Sequence, residues 1–390
     1  MGLRGTNQEF GRPYNRRIVL ESIRLDGPTT RGRIADAVGL TVQTVSTIIR
    51  ELEDQGFVLA VREEPKGRGL PPTTLRINPD GGYAVGVHVT PLGIDAALIN
   101  LSGDVVGSVH RDALNATTDQ AFALIGAMVP ELTALRPGGR MLGVGLALPG
   151  PFDVDSMSFV GPTTMAGWGN VALRDRLADA TGLPAFFEAD MAAAALGERL
   201  YGLGAGFSDF YYLYLGVGLG GAMVHDGAIL RGAWGNAGEI GHIPLVPGGE
   251  PCPCGNHGCL ERYLSLEAFS RRPHSMGETA WVETIAPIFR AAIATVENLF
   301  DPETIILGGL ASPALIAALA DATAMLPNSV SARRDRQIAR VIVSNGGQHT
   351  VLRGAAALAV AGVLSPRFGT MLAPERDTGR TVLSQKGLAA

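Results

Sequence analysis

Two periods organise the apolar positions of this chain, and the switch between them divides it. In residues 14–25, Ile18, Leu20, Ile23 and Leu25 recur at near-helical spacing, and Gly27-Pro28 stops the segment. Thr29 or Thr30 can cap a second short helix running to Val38, with Ile34, Ala35 and Val38 on its apolar side. Gly39 then suits a left-handed turn. Thr41 caps a third helix in which Val45, Ile48, Ile49 and Leu52 follow i, i+3, i+4, i+7. Two short helices about a tight turn predict a helix-turn-helix. Its outward face offers Gln43, Thr44, Thr47 and Arg50, with Thr41 at the start, all able to reach base edges or phosphates. Strands at 57–62 and 73–77 flank a loop holding Lys66 and Arg68. A wing is expected there, its basic side chains entering a minor groove or clamping phosphate. The plainer alternative is a protein-binding three-helix domain with a polar face.

Asn78-Pro-Asp-Gly-Gly82 is turn chemistry and closes a head over residues 1–80. Beyond it the period shortens to that of strands: 83–89, 93–100 and 105–109, then a helix near 117–135 and a strand at 142–148. A similar cycle restarts at 210, with strands at 210–215 and 221–227, a helix at 281–300 and a strand at 304–307. Three strands, helix and strand, twice over, predict a duplicated α/β body across 81–365. Its lobes fall at about 81–205 and 206–365, with a ligand cleft between them. Residues 366–390 lack periodicity and read as a tail.

At about 150 residues per domain, 390 residues suit two or three domains, and 46% apolar against 18% charged residues excludes a disordered chain. The net charge of −5 hides an asymmetry: residues 1–76 hold twelve basic against nine acidic residues, so the head is +3 and the remainder −8. A basic head on an acidic body suggests that the head alone meets a polyanion. The first residues carry no apolar signal core, and no apolar run approaches about 18 residues, so a cytoplasmic chain is expected.

All three cysteines lie in His242…Cys252-Pro-Cys-Gly-Asn-His-Gly-Cys259. Three thiolates from Cys252, Cys254 and Cys259, with the His242 imidazole, can complete a tetrahedral set around one structural Zn²⁺. His257 competes as the fourth donor, although its place inside the loop is awkward, and reduced structural thiols are the alternative. Glu239 and Glu261 flank the motif. Carboxylates braced in this way suit bidentate hydrogen bonds to the vicinal hydroxyls of a sugar, or else merely cap helices and orient His242.

Gly235-Asn-Ala-Gly-Glu-Ile-Gly-His242, followed by Cys-x-Cys-Gly-x-x-Gly-Cys-Leu-Glu261, resembles the signature of the ROK family of sugar-responsive repressors and sugar kinases. The likeness runs over roughly 10–365 and includes the winged helix that the regulators carry and the kinases lack. It implies an actin-like, ribonuclease-H-like pair of lobes. It also implies a sugar held by Glu239, His242 and Glu261, with Gly150 lining the same pocket. Asp190 matches the kinases' catalytic base, but the family's preceding Asn is Ala189 here. The kinase phosphate loop Asp-x-Gly-Gly-Thr is replaced by His88-Val-Thr-Pro-Leu92, and Gly-Thr-Gly-x-Gly by Gly216-Val-Gly-Leu-Gly220. A metal-organising carboxylate, two hydroxyls and an N–H donor are thereby missing. The expectation is a regulator without enzymatic activity, Asp190 being a vestige of the base. It would be a homodimer, or a dimer of dimers, on a pseudo-palindromic operator, answering a sugar or sugar derivative. A sugar kinase with an accessory head and a regulator answering a protein partner are the competing readings.

Overall fold

The computed structural model describes residues 11–364 except 63–72, 151, 154–157, 160–164, 166, 170, 234, 332 and 334. Lys66, Arg68 and the tail at 366–390 therefore lie outside the described residues. The head is built of α1 (Gly11–Asp26), α2 (Arg31–Val38), α3 (Val42–Asp54), β1 (Val58–Arg62) and β2 (Thr73–Ile77). Of the two candidate caps for α2 it is Thr30 that accepts from Arg33 N, at 3.4 Å, while Thr29 pairs with Leu75 of the wing. Thr41 caps α3 by accepting from Thr44 N at 3.1 Å. Ile34, Val45, Ile49 and Leu52 are fully buried, as their spacing predicts.

Two five-stranded sheets follow. The first takes β3 (Tyr83–Thr90), β4 (Gly93–Asn100), β5 (Val105–Asp112), β6 (Met141–Leu148) and β9 (Ala185–Ala189), with α4 (Thr118–Thr133), α5 (Leu173–Thr181) and α6 (Asp190–Tyr201). A two-strand hairpin, β7 (Phe152–Asp153) and β8 (Ser158–Phe159), stands apart. The second takes β10 (Phe210–Leu215), β11 (Leu219–His225), β12 (Ala228–Ile229), β13 (Thr304–Gly309) and β14 (Val341–Val343). With it come α7 (Leu266–Ser270), α8 (Glu278–Phe300), α9 (Pro313–Ala322) and α10 (Thr350–Leu364). The strand orders, β5-β4-β3-β6-β9 and β12-β11-β10-β13-β14, are the same order repeated. In each, the first three strands are antiparallel and the last two join in parallel. The duplication read from the sequence is the architecture. The central β3 and β10 are buried along their whole length, which is why their sequences run apolar without alternation.

One boundary differs from the sequence reading. Helix α10, placed in the second lobe by chain order, packs on the first, against α6, β3 and β6. Small residues permit this: a Cβ at Gly145 would sit 1.8 Å from Ala355 O, and one at Gly354 would sit 1.7 Å from Ala193 O. The two helices and the sheet thus touch backbone to backbone. The head is not a separate ball on a linker either. Its Ile18, Ile23 and Leu75 share one apolar cluster with Ala84, Ile99, Leu142, Leu352 and Val360 of the body. Leu20 and Arg24 of α1 line one small cavity with Leu200 at the end of α6, and Tyr201 adjoins it.

Candidate functional site

The loop after β12 returns to the body through the cysteine motif. Val246 N donates to Gly258 O, Cys252 N to Asn256 O and Gly258 N to Glu250 O, closing a tight knuckle. Pro244 pairs with Cys259 at its base. The donor atoms of His242, Cys252, Cys254 and Cys259 all fall within 4.8 Å of one another, so these four residues could hold one metal ion. Cys252 Sγ lies 3.6 Å from His242 Nδ1, and Cys254 Sγ lies 3.6 Å from Cys259 Sγ. Bonds of about 2.0–2.3 Å to a tetrahedral ion give edges of roughly 3.3–3.8 Å, and these two separations lie in that range. Burial and the neighbouring thiols push Cys259 up to about 12, so three thiolates together call for a cation. His257 is exposed, pairs with Pro251 and lies outside the set.

The knuckle forms one wall of a cleft between the lobes, with about 800 Å³ of empty space. Gly150, Asp190, Glu239, His242 and Glu261, named from separate stretches of sequence, all line it. Asp190 begins α6 and accepts from Met191 N at 2.8 Å. Glu261 follows Cys259 on a short 3₁₀ turn, and its Oε2 accepts from Leu219 N at 3.2 Å. Burial, then the charges of Asp190 and Glu261, push Glu239 up to about 7. Three carboxylates therefore converge on one space, held by strand ends and a braced loop. Neither Glu239 nor Glu261 accepts a helix-capping bond in the turns beside them.

Sequence reasoning missed two contributors. His88, 1% exposed, stands behind Asp190 with Nε2 at 3.9 Å from Oδ2, and that nitrogen has no hydrogen-bond partner among the described residues. Tyr214, 2% exposed, lines the cleft with its hydroxyl unpartnered among the described residues, and burial followed by the Asp190 charge holds its phenol well above the usual range. The sequence of β10, apolar without alternation, gave nothing to single it out.

The loops at 88–92 and 216–220 carry internal hydrogen bonds. Thr90 Oγ1 accepts from both Leu92 N (3.1 Å) and Gly93 N (3.2 Å). In the second loop Gly216 N donates to Gly218 O, and Leu219 N is held by Glu261. The loop is a tight β10–β11 turn, as expected of its glycines.

On the head, Thr41, Gln43, Thr47 and Arg50 are exposed on α3 and Thr44 is half-buried. Thr41 spends its oxygen on the cap and on Thr44 Oγ1, 2.9 Å away, so its role in the helix is structural as well. Val42, 53% exposed on the same turn, is an apolar group suited to a thymine methyl and carries no polar signal that would have found it.

Winged helix, duplicated actin-like lobes and braced cleft together define a DNA-binding protein grafted on a sugar-kinase fold. Residues 84–361 match the ROK family, and the chain belongs to it. Residues 13–58 match the winged helix-turn-helix DNA-binding family. The xylose repressor of Bacillus subtilis (strain 168) is 27% identical over 266 residues, covering 67% of this chain and 68% of that protein. A crystal structure of a ROK family transcriptional regulator, a homologue of the Escherichia coli MLC protein, superposes with a TM-score of 0.70 at 26% identity, over 93% of this chain and 98% of the other. A ROK family glucokinase from Streptomyces griseus, in complex with glucose and AMPPNP, matches with a TM-score of 0.63 at 26% identity. It covers 72% of this chain and all of its own.

Proposed function

We propose that this chain is a sugar-responsive transcriptional repressor of a carbohydrate uptake or catabolism operon, acting on DNA in the cytoplasm as a homodimer. What carries the reading is the presence, in one chain, of an exposed recognition helix and a carboxylate-lined cleft, with the head sharing an apolar cluster with the first sheet and α10 of the body. Gln43, Thr44, Thr47 and Arg50 read the operator, with Lys66 and Arg68 of the wing on the backbone. Gly150, Asp190, Glu239, His242 and Glu261 hold the sugar. Zn²⁺ in the His242–Cys252–Cys254–Cys259 set fixes Glu261 in place, and when bound it supplies rigidity and charge rather than an open coordination position. A two-fold dimer presents two recognition helices to a pseudo-palindrome, and the sugar changes DNA affinity by preferring one arrangement of lobes.

The kinase reading keeps one observation in its favour, the cleft position of Asp190. Against it stand His88 behind that carboxylate and the bonding of Leu92 N and Gly93 N to Thr90 and of Leu219 N to Glu261. Two measurements on the zinc-loaded full chain decide. Fluorescence anisotropy with selected genomic fragments should show binding that one sugar alters. A coupled ATP assay over hexoses, pentoses and amino sugars should show no turnover above background. Turnover near 1 s⁻¹, ordinary for kinases, would overturn the regulator reading.

A further inference from the structure

We infer that Val42 reads the 5-methyl group of a thymine, so that one thymine at a fixed place in each operator half-site is selected by apolar contact. The inference rests on the DNA-binding reading above and deepens it to one base contact. Val42 is the first residue of α3, directly after the Thr41 cap. The opening residues of a recognition helix are those that reach base edges in the major groove. Its side chain is 53% exposed, and among the described residues of the head no other large apolar side chain is so open to solvent. It belongs neither to the apolar cluster that α1, α2 and α3 share nor to the residues packed against that cluster. The fold of the head therefore makes no use of its isopropyl group.

The hydroxyls around it are turned toward their own helix. Thr41 Oγ1 accepts from Thr44 N and meets Thr44 Oγ1 at 2.9 Å. Ser46 Oγ donates to Val42 O at 2.7 Å, and Thr47 Oγ1 donates to Gln43 O at 3.2 Å. Arg50 Nε likewise donates to Ser46 O at 3.3 Å. A hydroxyl bonded in this way can still accept from a base but has no proton left for a base acceptor, so its power to discriminate is reduced. An isopropyl group neither donates nor accepts. The apolar feature that a base offers in the major groove is the thymine methyl, whereas adenine, guanine and cytosine present donors or acceptors. Against those edges Val42 strips water and returns no hydrogen bond, so the same side chain attracts thymine and penalises its competitors.

The test uses the zinc-loaded full chain and operator duplexes enriched from a random pool. Each thymine of the half-site is replaced in turn by deoxyuridine, which removes the methyl and leaves every hydrogen-bonding group in place. Anisotropy should find one thymine per half-site whose replacement weakens binding about fourfold, the worth of one buried methyl, and about 16-fold when both half-sites are changed. In Val42→Ala that penalty should fall below about twofold, because the smaller side chain no longer buries the methyl. Val42→Ile should keep it, with zinc content and circular dichroism unchanged in both variants. A scan that finds no methyl-sensitive thymine, or a sensitivity that Val42→Ala leaves in place, overturns the inference while the DNA-binding reading stands. A pool from which no sequence is enriched overturns both.

Discussion

Replacing Arg231 by Ala tests the way the two lobes are fastened beside the cleft. Glu188 lies on β9, two residues before Asp190, and is 9% exposed. One oxygen accepts from Ala189 N at 3.0 Å, and the other pairs with the guanidinium of Arg231, which follows β12 on the opposite lobe. Arg231 O in turn accepts from Ala237 N, tying the pair to the segment that carries Glu239. Arg231→Ala leaves a buried carboxylate with one backbone donor. Breaking such a pair on one side costs about 3–5 kcal/mol, and the 24% exposure of Arg231 sets the lower end, about 3 kcal/mol. Glu188→Gln keeps the acceptor for Ala189 N and leaves the more exposed partner to hydrate, so about 1 kcal/mol is expected. The double variant Glu188→Gln with Arg231→Met removes both charges and should recover part of the loss. Urea unfolding followed through buried Trp168, with sugar titration beside it, reads the order. A loss below 1 kcal/mol for Arg231→Ala, or a double variant weaker than that single one, would refute the reasoning.

Sugar affinity should depend on pH through Glu239. Its carboxyl titrates near 7 in the free cleft, and sugar hydroxyls donate to the ionised form, so binding releases a proton. The ionised fraction falls from about 90% at pH 8 to about 10% at pH 6, so affinity should drop about tenfold over that range. Glu239→Gln should flatten the profile; calorimetry in buffers of different ionisation enthalpy checks both, and proton uptake would contradict it. Cys254→Ser should lose the metal and the sugar response together, by elemental analysis and anisotropy, and retained response would uncouple knuckle from cleft. Arg50→Ala should cost about 1–3 kcal/mol of operator binding if it reads a base; a loss equal on operator and random DNA, with a lower salt slope, would place it on phosphate instead.

The head was legible because each device in it is local: a hydroxyl at Thr30 or Thr41 and an apolar stripe a few residues on. The metal set was legible for the same reason, its donors lying within eighteen residues of one another. The repeated strand order showed in the two apolar runs at β3 and β10, since a strand buried on both faces has no alternation to hide. What stayed hidden depends on distant segments meeting. Nothing in the small residues of α10 says which sheet they approach, and the contact of Ala355 with Gly145 of β6 reveals it. His88 and Asp190 are about a hundred positions apart, so their juxtaposition has no sequence signature.

Helix α6 has one end in the cleft, at Asp190, and the other against the head, where Leu200 shares a cavity with Leu20 and Arg24. Twelve residues at 1.5 Å each make a rod of about 18 Å that bends little and compresses less. Its middle is clamped to α10 through bare backbone, leaving no soft side chains to absorb a displacement. A tilt begun at the carboxylate must therefore arrive at α1 as a tilt, and a bulky residue wedged at Ala193 or Ala194 would deafen the operator-reading end while both ligand surfaces stayed intact.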